Sequence, residues 1–78
     1  MNLTHDHVHV LRHALGADSA DPGYRNHFQP GGADVNLCRE LRDMGLMTSR
    51  NFGREMGGET FFATDVAQLL VLGKVIER

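Results

Sequence analysis

From Val66 to Ile76 the chain presents Val66, Ala67, Leu69, Leu70, Val71, Leu72, Val75 and Ile76 with few polar positions between them. Thr64 and Asp65 stand immediately before this run as a helix start, and the pattern predicts a helix from about Asp65 to Glu77. A helix that is apolar on nearly all sides must be covered on nearly all sides. The whole chain has 78 residues, and a chain that short buries only about 60% of its unfolded surface. One face of the helix is therefore expected on the core. The other, through Val71, Leu72 and Val75, is expected against a second copy of the chain or another protein. The alternative cover is the first helix, whose Val10 points away from its main stripe.

That first helix begins at Thr4, with Asp6 in its first turn, and carries Val8, Leu11 and Leu15 at helical spacing; Gly16 is placed to end it. After a polar linker, Asp21-Pro22 reads as a cap and first helical residue, opening a short helix to about Phe28 that places Tyr24 and Phe28 on one side. Gln29-Pro30-Gly31-Gly32-Ala33 is a strong break. Asp34 then caps a helix from about Val35 to Met44, with Leu37, Cys38, Leu41 and Met44 inward. Gly45 takes the left-handed position beyond it, letting Leu46 fold back onto Leu41. Leu46 to Phe52 and Thr60 to Ala63 read as the arms of a hairpin around the glycine loop Gly53 to Gly58. The expectation is one domain over residues 1–78, mainly α with a small β-hairpin (α+β), in the order helix, short helix, helix, hairpin, helix.

Composition narrows the function classes. The net charge of −2 argues against a general polyanion binder, though not against a local basic patch. Cys38 is the single cysteine, so no internal disulfide forms. The first residues lack the continuous apolar stretch of a signal peptide, and the longest apolar run, Leu69 to Leu72, is too short to span a bilayer. A cytoplasmic protein without membrane contact is expected.

Motifs for catalysis are weak. His5, His9 and His13 are spaced by four and line one flank of the first helix. Two such imidazoles can bind zinc or nickel, but four ligands are not in view, and a solvated flank is the expected reading, with no metal or cofactor. Arg25-Asn26-His27 is too little for a metal-finger nuclease and is expected to cap backbone groups or face solvent. Cys38 lies at core spacing beside Leu37, which favours a buried, inert thiol over a nucleophile. Ser19 and Ser49 lack a nucleophile elbow, and Gly57-Gly58-Glu59-Thr60 lacks the lysine of a phosphate loop. No catalytic residue is assigned, and the chain reads as non-enzymatic.

The stretch from Leu37 to Thr64, with a helix ending in Gly45-Leu46, a strand, a glycine loop and Phe61-Phe62-Ala63-Thr64-Asp65, resembles the recognition-helix-and-wing half of winged-helix domains. Ala67 stands where such proteins often carry glycine, and the Gln29-to-Ala33 turn is longer than usual. More narrowly, Tyr24-Arg25-Asn26-His27-Phe28, Gly45-Leu46-Met47 and the segment from Gly57 to Asp65 resemble a set of small proteins encoded by phages and prophages. That set has no assigned activity and transfers no catalytic residue. The winged-helix resemblance implies DNA as a partner. Asn36, Arg39 and Arg42 would face outward on the helix, and Arg50 and Arg54 on the wing would meet phosphates. Glu40 and Asp43 share that helix surface, and Glu55 and Glu59 offset the wing's charge. Two readings stay open: a DNA-binding accessory or regulatory protein of phage type, and a protein–protein adaptor that kept the scaffold without DNA binding. Homodimerisation or a protein partner through the last helix is expected in either.

Overall fold

The computed structural model describes residues 3–53 and 58–76. It is an α+β domain with α1 (His5–Leu15), α2 (Asp34–Asp43), β1 (Met47–Asn51), β2 (Glu59–Ala63) and α3 (Asp65–Leu72) in chain order. The strands form an antiparallel hairpin in which Met47 faces Ala63, Ser49 faces Phe61 and Asn51 faces Glu59. Because successive side chains point to opposite faces, one side of the ribbon carries Met47, Phe61 and Ala63 into the core. The other side carries Thr48 and Arg50.

α1 starts with a reciprocal cap. The Thr4 hydroxyl accepts from the His7 backbone N–H, and the His7 ring Nδ1 accepts from the Thr4 N–H, so histidine takes the part usually played by Glu or Gln. This use of His7 rolls the helix away from the expected stripe. The buried face is His7, Val10, Leu11, Ala14 and Leu15, while Val8 is exposed. At the other end Gly16 sits at φ 61°, with Ala17 N–H donating to Arg12 O and Gly16 N–H to His13 O. A Cβ at Gly16 would lie 2.2 Å from Tyr24 Cε1, so the left-handed turn and the ring's approach both require glycine.

The short helix expected over residues 22–28 does not form. Asp21 and Tyr24 close a single turn, and Gly23, at φ 87°, leaves the helical region at once, its N–H donating to Leu15 O. The chain then runs extended along the free edge of β2. Phe28 and Phe61 exchange backbone hydrogen bonds of 2.9 and 2.8 Å, an isolated antiparallel bridge. Two residues earlier, the Asn26 side chain acts as a surrogate peptide: its Nδ2 donates to Ala63 O at 3.0 Å and its Oδ1 accepts from Ala63 N–H at 2.7 Å. Sheet edge pairing therefore outcompetes a helix that glycine had already weakened. Tyr24 and Phe28 part company: Tyr24 is exposed over Gly16, and Phe28 packs edge-on to His13.

α2 begins with Ala33 at the cap position and Asp34 as its first residue, its carboxylate near the positive end of the helix. Its end follows expectation. Leu46 N–H donates to Leu41 O and Gly45 N–H to Arg42 O, and Leu46 turns back into the core with Leu41. α3 is capped by Thr64, whose hydroxyl accepts from Ala67 N–H and donates to Gly45 O. It is shorter than expected, because Gly73 at φ 74° ends it after Leu72. Gln68, buried on the inner side, donates to Ala63 O and accepts from Ile76 N–H, holding the segment beyond Gly73 against the helix.

The core is one cluster of Val10, Leu11, Ala14, Leu15, Cys38, Leu41, Leu46, Met47, Phe61, Ala63 and Ala67. Every buried side-chain nitrogen and oxygen among the described residues has a hydrogen-bond partner.

Candidate nucleic-acid interface

α2 packs its Cys38–Leu41 side on the core and turns the opposite side to solvent. Asn36, Arg39 and Asp43, at spacings of three and four, occupy the middle of that outer face, with Glu40 and Arg42 on its flanks. Asn36 and Arg39 are exposed, and neither side chain has a hydrogen bond or ion pair to another described residue.

The flanking charges are engaged. Glu40 Oε1 lies 2.7 Å from His7 Nε2; since His7 Nδ1 already accepts from Thr4, the ring's other nitrogen donates to the carboxylate. This tie joins the start of α1 to α2. Arg42 turns onto the hairpin: its Nη1 donates to Ser49 Oγ at 2.8 Å and Glu59 Oε2 at 3.2 Å, and its guanidinium lies 5.6 Å from the Phe61 ring centroid. Arg42 is thus a link between helix and ribbon more than a free cation.

Arg50 stands elsewhere. Ser49, which Arg42 touches, points to the core side of the ribbon, and strand alternation sends Arg50 to the other side. There it lies 5.4 Å over the Phe52 ring and borders an open groove of about 490 Å³ lined also by Asn26, Thr48, Phe62, Thr64 and Asp65. Arg54 lies outside the described residues. Of the five side chains expected to meet DNA, the structure gathers Asn36, Arg39 and Arg42 on α2 and separates Arg50 from them.

The three residues expected at a partner interface also divide. Val71 and Leu72 are half-buried and pack against the core, while Val75 is exposed beyond the helix. The apolar side chains that α3 exposes are Val66, Leu69 and Leu70. The expected register was turned because Gln68, the one polar residue of α3 after Asp65, faces inward and leaves Leu69 and Leu70 outward.

Of the groups considered for catalysis, Cys38, Asn26 and Arg25 are engaged within the fold. Cys38 is fully buried, and burial, then the charges of Asp34 and Glu59, push its thiol up to about 11, away from the thiolate a nucleophile needs. Asn26 and Arg25 bond backbone groups, the latter at His13 O. His5, His9 and His13 are exposed, and among the described residues no three His, Cys, Asp or Glu side chains gather as a metal site. No described helix is long and apolar enough to cross a membrane. The residues that sequence reasoning missed are His7 and Gln68. The first carries a readable sign, a Thr-x-x-His spacing at a helix start; the second carries none.

No family model, curated protein or solved structure matches the chain.

Proposed function

We propose that this chain is a non-enzymatic DNA-binding module of winged-helix-like form that addresses the duplex through the outer face of α2. The reading is carried by Asn36 and Arg39. They stand exposed and unengaged on the helix that leads into the hairpin, while the neighbouring carboxylates of Glu40 and Glu59 are bonded to His7 and Arg42. Asparagine and arginine are the side chains that pair with adenine and guanine edges in the major groove. The Phe28 bridge on the outer edge of β2 ties the segment before α2 to the ribbon and so fixes the helix relative to the hairpin. Asp43 is the opposing charge on this face.

The test is binding of a short mixed-sequence duplex, followed by fluorescence anisotropy at several salt concentrations. Affinity should fall steeply with salt. Arg39→Ala should weaken it about tenfold, and Asp43→Asn should tighten it. Arg50→Ala should matter less, because that side chain faces away from α2. Absence of binding to the duplex at low salt removes the proposal.

A second reading has its own observation. The most exposed large apolar side chain of the described residues, Leu70, lies on α3 with Val66 and Leu69, away from the face DNA would use. In that reading the scaffold serves protein contacts alone, as an adaptor. Salt-insensitive association with a protein, with no duplex binding, would favour it.

A further inference from the structure

α3 exposes Val66, Leu69 and Leu70 to 57%, 53% and 61%, a run at spacings of three and four that makes one continuous stripe. Gly73 follows in the same series, with open space where a side chain would stand. No charged residue interrupts the stripe. Among the described residues of α3 and the turn after it, charges sit at the two ends of the stripe: Asp65 opens the helix and Lys74 follows its last turn, both exposed and neither paired with another described residue, while Arg12 beside Leu70 is ion-paired with Asp18. On the α1 side the stripe borders a mostly apolar groove of about 280 Å³ lined by Leu3, Val8, Leu11, Arg12, Leu70 and Val71.

We infer that this stripe is a self-complementary seam at which two copies of the chain pair with their α3 helices antiparallel. The end charges select that occupant and that direction. Turning a second α3 end for end brings each Asp65 to the end of the seam where the partner's Lys74 stands, and Lys74 is the chain's single lysine. A parallel pair would set Asp65 beside Asp65 and Lys74 beside Lys74. Antiparallel helices also place opposite ends of their dipoles together. A two-fold interface needs a patch that matches itself under such a rotation, and an uncharged stripe with opposite charges at its ends does so. In that register Leu69 and Leu70 meet their counterparts across the two-fold, and Val66 enters the space beside the partner's Gly73, where a larger side chain would hold the helices apart. The seam is separate from the outer face of α2, so the inference stands whatever that face binds.

The experiment is sedimentation equilibrium on the full chain over a concentration series, with circular dichroism to check that each variant is folded. The parent should approach twice the mass of one 8.7 kDa chain. Leu70→Glu should shift the midpoint of association at least tenfold towards higher concentration, with unchanged helix content, since Leu70 is exposed within one chain. Asp65→Lys or Lys74→Asp alone should each weaken pairing, and the two together should restore it. A parent that stays at one chain mass throughout means the stripe takes some other occupant and overturns the inference. Pairing that survives Leu70→Glu also overturns it. A double charge exchange that fails to recover what either single change lost overturns the antiparallel arrangement.

Discussion

Cys38 shows how burial decides the chemistry of a single side chain. Its thiol lies within the core and holds its proton up to about pH 11, against an ordinary value of 9.0. The folded chain therefore binds this proton more tightly than the unfolded chain does. Stability from this group is full below pH 9 and is lost as pH rises towards 11, by at most about 3 kcal/mol in all. Denaturant unfolding of the parent and Cys38→Ala at neutral pH and at pH 10–11 isolates the effect from other titrating groups. The variant should lose about 1 kcal/mol or more at neutral pH through the cavity it leaves. Its disadvantage should then shrink as pH rises, and a gap constant with pH would refute the assignment. Burial of Cys38 was legible in the sequence, because Leu37, Cys38 and Leu41 recur at helical spacing. For His7 only the local half was legible, the Thr-x-x-His cap spacing; its contact with Glu40 joins residues 33 apart and leaves no local sign.

At the scale of elements, what could be read was local. α2 and its glycine-ended turn, the hairpin, and the Thr4 and Thr64 starts all rest on residues within a few positions of one another. The stretch from Asp21 to Phe28 rests on β2, 37 residues away from Asn26 at Ala63, and local propensity named a helix there. Asn26 is the strongest tie of that stretch to the sheet. Asn26→Ala should destabilise the fold by about 1–3 kcal/mol, since the Ala63 N–H loses its acceptor in a partly buried place. Asn26→Asp should be worse at neutral pH, because a carboxylate would face the Ala63 carbonyl in place of a donor. Amide hydrogen exchange gives the local readout: Ala63 N–H should exchange faster in both variants, and protection equal to the parent's would contradict the pairing. The same separation explains the divided DNA set. Strand alternation alone could place Arg42's contact at Ser49 and Arg50 on opposite sides, but only the packing of α2 over Phe61 fixes which side faces the helix.

For the molecule as a whole, stability and assembly are coupled. A domain this small has little core to spare, and an α3 that exposes three large apolar side chains gains from a cover it cannot supply itself. If pairing at α3 supplies it, the midpoint of thermal unfolding should rise with protein concentration in the parent and stay fixed in Leu70→Glu. A midpoint independent of concentration in both would separate folding from association. The sequence announced an excess of apolar surface on the last helix but assigned it to Val71, Leu72 and Val75. The direction of that excess was set by Gln68, whose two hydrogen bonds inside the fold have no signature in composition or periodicity.

Leu3 forms one wall of the groove beside Leu70, so the beginning of the described chain runs next to α3's outer stripe. A bulkier side chain there, as in Leu3→Trp, would stand at the rim of that stripe and hold two molecules apart, so association should weaken in sedimentation equilibrium while the helix content of each chain stays the same.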